Sequence, residues 1–281
     1  MKERVTFTLA SDVLKQMDSI IDGYKIKNRS HAAELLLLKA LKKDIPKTAV
    51  ILAGGKGTRL SPITHEIPKP LLPLQGKPLV EHTLDLLKKY GITEVILAIG
   101  YQGQKIKDYF GDGRKFGLHI SYTEEEKPLG TAGPLHLLKD RLTETFLLCN
   151  ADELKDIDLS EMFLFHKDTG ALATIALTTV EDPSAFGVAR LQGNRIQEFI
   201  EKPKKGEAPS KLINSGLYIL EPEILHFIPK GFAMIEKDVF PQVALQKKLF
   251  GYPFSGYWKP IGTLQQYEEA LNDLQAGKFK L

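Results

Sequence analysis

The sequence predicts an α/β fold: a mostly parallel mixed sheet flanked by helices, preceded by a small strand–helix–helix segment. Two observations carry this. Short apolar runs at 50–52, 94–99, 146–149, 171–178 and 216–220 alternate with helical stripes such as that over 79–90, and alternating strands and helices build a largely parallel sheet. Ahead of them, residues 1–46 have a pattern of their own, closed off by Pro46 within the short link 44–48. The expected division is therefore 1–46 and 47–281.

The bulk numbers agree with this organisation. A chain of 281 residues has room for roughly one large or two ordinary domains. Its 43% hydrophobic and 26% charged content is ordinary for a globular protein with a sizeable core. The single cysteine, Cys149, excludes an internal disulfide framework and fits a reducing compartment. No apolar run approaches the roughly 20 residues of a spanning helix, and no signal-peptide core opens the chain. The expectation is a cytoplasmic protein without a membrane partner. The net charge of +3 is unevenly spread: residues 1–47 hold 10 Lys+Arg against 6 Asp+Glu, and all the basic excess lies there. That suits either a nucleic-acid contact or a solvated lysine-rich surface.

In the first segment, Arg4-Val5-Thr6-Phe7-Thr8-Leu9 alternates polar and apolar residues, the period of a strand. Ser11 and Asp12 begin a helix whose buried side is Val13, Leu14, Met17, Ile20 and Ile21, and Asp22-Gly23 ends it. Asn28-Arg29-Ser30 precedes a second helix, from His31 to about Lys43, with Ala32, Leu35, Leu36, Leu38 and Leu41 apolar. One strand and two helices make a poor isolated core, so a dimer with paired strands is expected. The segment resembles the ribbon-helix-helix DNA-binding domains over about residues 3–43. The resemblance implies an antiparallel ribbon for the major groove, with Arg4, Thr6 and Thr8 outward and Val5, Phe7 and Leu9 in the dimer core. It also implies a phosphate contact at the second helix start, near Arg29 and Ser30. DNA binding and pure dimerisation both remain open on these residues.

The chemistry-bearing residues lie in the second segment. The 50–52 strand runs into Leu52-Ala53-Gly54-Gly55-Lys56-Gly57-Thr58-Arg59-Leu60. Glycines let backbone N–H groups close around phosphate oxygens. The run is neither a Walker loop nor the dinucleotide fingerprint. Arg59 has a planar fork suited to phosphate. Pro68-Lys69-Pro70-Leu71-Leu72-Pro73 then holds Lys69 on a stiff loop. Asp152 follows the apolar 146–149 strand, at the strand end where ligands bind in open α/β sheets.

Further segments follow in order: Leu129-Gly130-Thr131-Ala132-Gly133, Asn150-Ala151-Asp152, Phe186-Gly187-Val188, Phe199-Ile200-Glu201-Lys202-Pro203, Asn214-Ser215-Gly216-Leu217-Tyr218 and Trp258-Lys259-Pro260-Ile261-Gly262-Thr263. Together with the glycine and proline loops, they resemble the sugar-1-phosphate nucleotidyltransferases over about residues 48–274. That family includes glucose-1-phosphate thymidylyltransferase and mannose-1-phosphate guanylyltransferase. The resemblance implies a Rossmann-like nucleotidyltransferase fold. It also implies an enzyme that joins a sugar-1-phosphate to a nucleoside triphosphate and releases pyrophosphate.

By the same resemblance, Leu52, Ala53, Gly54, Gly55, Gly57, Thr58, Arg59, Gly130 and Thr131 would bind nucleotide. Gly187, Glu201, Lys202 and Asn214 would bind the sugar side. Arg59, Lys69, Asp152 and Lys202 would be catalytic, with Asp152 holding Mg²⁺. Gly130-Thr131-Ala132-Gly133, and Glu236-Lys237-Asp238 before Phe240-Pro241, look more like guanylyl- or thymidylyl-transferring members than the common bacterial uridylyl ones. One departure is Pro260, which stands where the family's second metal carboxylate belongs. Glu153, Asp156 and Asp238 are other carboxylates that no pattern places. The departure leaves open an alternative: a DNA-binding regulator that senses a nucleotide or nucleotide sugar with a weakened or inactive fold.

Overall fold

The computed structural model describes residues 4–24, 26–41 and 45–279. The chain divides into two compact units, residues 1–44 and 45–281. In the first, α1 (Ser11–Ser19) and α2 (Arg29–Leu41) are joined by a turn. There the Asp22 carboxylate accepts from the backbone N–H groups of Tyr24 and Ile26, each at 2.9 Å. Asn28 accepts from the His31 N–H at 3.0 Å and so caps α2, which starts two residues before the expected His31. The expected end near Lys43 lies outside the described residues.

Two expectations for this unit change. Residues 4–9 form no strand: Val5, Phe7 and Leu9 are 64%, 59% and 43% exposed. A strand exists only against a partner that takes its backbone hydrogen bonds, and one copy of the segment offers none. Similarly Met17 is buried, but Val13 and Ile20 are exposed, because so short a unit cannot cover both sides of α1. In α2, Ala32 and Leu35 are buried and Leu36 is exposed. The side chains of Leu38 and Leu41 lie outside the described residues.

The second unit is built on a sheet. Its elements in order are β1 (Thr48–Ala53), α3 (Leu79–Lys89), β2 (Glu94–Ile99), α4 (Gly103–Phe110), β3 (His119–Glu124), β4 (Phe146–Asn150), β5 (Glu153–Lys155) and α5 (Leu159–Thr169). Then come β6 (Ala173–Thr179), β7 (Gly187–Gln192), β8 (Arg195–Glu201), β9 (Leu212–Leu220), β10 (Leu249–Pro253), β11 (Trp258–Pro260) and α6 (Leu264–Gln275). Among the described residues nine strands form one sheet in the order β3-β2-β1-β4-β9-β6-β10-β8-β7. β5 and β11 form a separate antiparallel ladder.

The expected mostly parallel sheet is in fact parallel only in part. β3, β2, β1 and β4 run parallel, and β10 runs parallel to β6. β9 runs against β4 and β6, and β8 against β7 and β10. The cause lies partly in the two-residue Gly193-Asn194 connection, which can only return the chain antiparallel.

Strand alternation sorts the core into two layers. Ala49, Ile51 and Ala53 of β1 pack with Val80, Leu84, Ile106 and Met162 on one face. Val50 of the same strand packs with Ile96, Leu135, Leu148 and Phe240 on the other. A third cluster, including Leu154, Ile261, Ala270 and Leu274, docks α6 against the β5–β11 ladder. Helix α6 is capped by Thr263, whose hydroxyl accepts from the Gln266 N–H at 3.2 Å. The end of the Trp258–Thr263 motif is thus a helix cap, and it fixes where Pro260 sits.

Candidate active site

The carboxyl ends of β1, β2 and β4 lie side by side: Ala53 pairs with Ile99, and Leu52 with Asn150. They open on a cavity of about 640 Å³. The glycine run follows β1 along its wall. A Cβ on Gly54 would lie 2.6 Å from the Glu125 carboxylate and 3.3 Å from the Gly100 nitrogen. Glycine there admits the end of β2 and brings Glu125 to the cavity. Leu52, Ala53, Gly54 and Gly55 line the cavity, as does Lys56.

Lys69 starts a short 3₁₀ turn behind Pro68. Its side chain is 11% exposed and forms a direct ion pair with Asp152, which is 38% exposed. Two residues assigned separately from sequence therefore meet on one wall of the cavity. The rest of the expected nucleotide group splits. Gly130 and Thr131 line the cavity, but Gly57, Thr58 and Arg59 are not among its lining residues. Arg59 lies exposed in the Thr58–Leu60 turn, its guanidinium against Gly262, and makes no ion pair among the described residues. The Thr131 hydroxyl is already used: it donates to Glu236 Oε2 at 2.5 Å and accepts from the Ile235 N–H at 2.9 Å.

The expected sugar-side residues gather on the antiparallel half. Gly187 on β7 pairs with Glu201 on β8, and β9 joins them through Ile213 and Val188. Lys202 has a left-handed backbone (φ 51°), and its ammonium lies 3.4 Å from Glu201 Oε1. None of Gly187, Glu201, Lys202 and Asn214 lines the 640 Å³ cavity. A buried polar chain links the two groups. Asn214 donates to the Tyr218 hydroxyl at 2.8 Å, and Tyr218 donates to Glu236 Oε1 at 3.5 Å. Glu236 then accepts from Thr131. Burial pushes the Glu236 carboxyl above its ordinary range, against the hydrogen bond from Thr131.

Position 260 does stand beside Asp152. Pro260 pairs with Glu153, and the Ile261 N–H donates to the Asp152 carbonyl at 2.9 Å. Glu153 is spoken for. Its carboxylate accepts from Lys155 at 2.7 Å, from Trp258 Nε1 at 3.4 Å and from the Asn150 amide at 3.4 Å. Lys155 also donates to the carbonyls of Ser215 and Gly216. Burial raises the Glu153 carboxyl, and Lys155 opposes that rise. Asp238 accepts from the Met234 N–H at 2.7 Å, and Asp156 is exposed.

Among the described residues, no cluster of three His, Cys, Asp or Glu could hold a metal. The cavity lining holds three carboxylates, Asp152, Glu125 and Glu126; Glu125 already accepts from the Leu129 N–H, and Asp152 stands at the carboxyl end of β4 beside Lys69. That donor set fits Mg²⁺ arriving with a polyphosphate, since the ion accepts one or two carboxylates with phosphate oxygens and water.

The sequence reading missed Lys56, Glu125 and Phe232 as cavity residues. Lys56 stands inside the glycine run, between Gly55 and Gly57. Glu125 sits four residues before Leu129, whose N–H its carboxylate accepts at 2.6 Å. Phe232 carried no pattern beyond its place shortly before the Glu236-Lys237-Asp238 run.

This fold and cavity define an α/β protein with a ligand site at the carboxyl ends of parallel strands. The chain belongs to the nucleotidyl transferase family, whose model matches residues 48–277. It is 42% identical over 225 residues to mannose-1-phosphate guanyltransferase beta-B of Xenopus laevis. It is 39% identical over 226 residues to mannose-1-phosphate guanylyltransferase 1 of Arabidopsis thaliana. Each alignment covers 78% of this chain and 62% of the relative, so the chain spans less than two thirds of the length of these curated relatives. Among solved structures, a UDP-glucose pyrophosphorylase complexed with UDP-glucose superposes with a TM-score of 0.73 at 25% identity, covering 83% of this chain and 100% of that one. No helix among the described residues is long and apolar enough to cross a membrane.

Proposed function

We propose that residues 47–281 transfer a nucleotidyl group from a nucleoside triphosphate to a sugar-1-phosphate. The observation that carries this reading is the Lys69–Asp152 pair on the wall of a cavity that the glycine run also lines. Family membership and the mannose-1-phosphate guanylyltransferase relatives support it, and they make GTP with mannose-1-phosphate the first pair to try.

In the reaction, a phosphate oxygen of the sugar-1-phosphate attacks the α-phosphorus. The new P–O bond forms as the α–β bridge breaks, and pyrophosphate leaves. Such transfer depends on positioning and charge neutralisation more than on covalent help. Lys69 steadies the α-phosphate, and Arg59, exposed outside the cavity lining and in no ion pair among the described residues, meets the leaving phosphates. Lys202 takes the sugar phosphate, while Glu201 and Asn214 meet sugar hydroxyls. Asp152 would hold Mg²⁺, which supplies charge neutralisation for the phosphates when bound.

A ligand panel tests the site independently of turnover. A ligand at a hundred times its Kd adds about 2.7 kcal/mol to native stability, a shift of roughly 5 °C or more for a domain of this size. We expect that shift from at least one nucleoside triphosphate with Mg²⁺. No shift from any nucleoside triphosphate, sugar phosphate or nucleotide sugar counts against the site.

The N-terminal unit supports a second reading. Exposed Val5, Phe7 and Leu9 alternate with Arg4, Thr6 and Thr8 and have no strand partner among the described residues of one copy. Pairing these segments between two copies as a ribbon gives a homodimer and presents Arg4, Thr6 and Thr8 to DNA, with the N-terminus of α2 at a phosphate. The Arg29 side chain is held by Asp18 at 2.7 and 2.8 Å, which leaves backbone N–H groups as that contact. On this reading the nucleotidyltransferase unit serves as a sensor of nucleotide or nucleotide sugar, with or without turnover. Gel shifts with genomic fragments at low and high salt test it. Binding that is absent at low salt leaves only the dimerising role, which a dimer lost on deleting residues 1–46 supports.

A further inference from the structure

Phe232 is a large apolar side chain that is 64% exposed and lines the cavity. A scattered exposed aromatic needs no explanation. This one stands on a backbone that is pinned to the opposite loop. The Ala233 N–H donates to the Leu129 carbonyl at 2.9 Å, and the Ala132 N–H donates back to the Ala233 carbonyl at 2.9 Å. The Ile235 N–H donates to the Thr131 hydroxyl, and the Met234 N–H to Asp238. Glycines make the approach possible. A Cβ on Gly130 would collide with the Ala233 carbonyl, and a Cβ on Gly133 would lie 2.8 Å from the Gly231 carbonyl. The 231–235 segment is therefore a fixed platform with an unsatisfied ring at the cavity.

We propose that Phe232 is the stacking face for the nucleobase of the nucleotide bound in this cavity, an inference that rests on the nucleotide-site reading above. The chemistry of the walls favours a base over a phosphate or a sugar at this ring. A phenyl face carries no charge for a phosphate, whereas Lys56 and Lys69 in the same cavity do. The expected sugar-side residues lie outside it. The loop that Phe232 is clamped to, 129–133, carries no charged side chain. Every nucleobase offers a π-face to an aromatic ring. Phe232 thus contributes affinity for any base, while the Glu125 carboxylate elsewhere on the cavity lining and the backbone at Gly130 and Thr131 are left to distinguish bases by their edges.

Two probes separate the base from the phosphates: a nucleoside triphosphate and inorganic tripolyphosphate, each titrated with Mg²⁺ into wild type, Phe232→Ala and Phe232→Tyr. Stacking of the usual strength, lost, weakens the nucleoside triphosphate about tenfold in Phe232→Ala. Tripolyphosphate binding is expected to stay unchanged, and Phe232→Tyr to restore the wild-type affinity. In steady state the same loss falls on KM for the nucleotide and not on KM for the sugar phosphate. Equal weakening of both probes, an unchanged nucleotide affinity, or an effect confined to the sugar phosphate overturns the proposal while the nucleotide site stands. A wild-type protein that binds neither probe overturns the site reading and this inference with it. The exposed position makes misfolding of these variants a small risk, and an unchanged Tm without ligand checks it.

Discussion

Lys69 and Asp152, 83 residues apart in sequence, are each other's counter-ion on the cavity wall. On the proposed reading, a triphosphate and its metal would compete for the same two groups, the phosphate for the ammonium and the metal for the carboxylate. Asp152→Asn frees Lys69. Metal-free nucleoside triphosphate then binds as tightly as in wild type or a few-fold more so, while the gain on adding Mg²⁺ disappears and turnover falls about a hundredfold or more. Calorimetric titration with Mg²⁺ and with chelator reads both effects. A variant that keeps the Mg²⁺ gain would show that Asp152 is not the metal's ligand.

Pro260 stands opposite Glu153, and the next residue, Ile261, donates its N–H to the Asp152 carbonyl. Pro260→Asp offers a second carboxylate beside the first. Mg²⁺ is expected to reach half-saturation in the presence of nucleotide at about a tenfold lower concentration, since Mg²⁺ sites use one or two carboxylates. Manganese titration by electron paramagnetic resonance gives the same comparison without turnover. An unchanged midpoint means the side chain at 260 does not reach the ion.

Glu153 and Lys155 form a buried pair, with side chains 10% and 1% exposed. Removing one partner of such a pair leaves an uncompensated charge and destabilises by about 3–5 kcal/mol. Lys155→Met is therefore expected to lower Tm by roughly 10 °C, and adding Glu153→Gln to recover part of that loss. A single variant as stable as wild type would mean that Glu153 becomes protonated at little expense, in line with the upward push of burial.

His82 is buried against Phe279, its Nε2 at 3.3 Å from the Leu74 carbonyl. Burial outweighs the contact with the Leu74 carbonyl and holds its imidazole below the ordinary value near 6.5. The unfolded chain then takes up a proton before the folded one does. Its stabilising contribution is complete above about pH 6.5 and is lost as pH falls through the lowered folded value. Tm should drop between pH 7 and pH 5, and His82→Leu should flatten that slope. A variant with the wild-type slope assigns the acid sensitivity to other groups.

The sequence disclosed the parallel half of the sheet well, because strands buried on both faces read as continuous apolar runs, as in Val50–Leu52. It disclosed the antiparallel half less well. The β7–β8 hairpin announces itself in Gly193-Asn194, but its sequence reads first as separate motifs. The strand expected at 4–9 has the right period and no partner, so a single copy cannot form it. In the site, Lys69 and Asp152 were each legible from their loops. Their ion pair was not, because it depends on how distant segments fold together. Phe232 was invisible for the same reason: its meaning comes from the carbonyls of Gly231 and Ala233 against Gly133 and Gly130, and neither neighbour is marked in the residue itself.

Pyrophosphate release on mixing wild-type protein, Mg²⁺, a nucleoside triphosphate and a sugar-1-phosphate tests the central claim most directly. The predicted result is release that requires both substrates, begins with a pair such as GTP and mannose-1-phosphate, and is lost in Lys69→Ala. No release with any pair at high protein and metal concentration, from a protein that still binds nucleotide, would contradict it and leave a sensor in place of an enzyme.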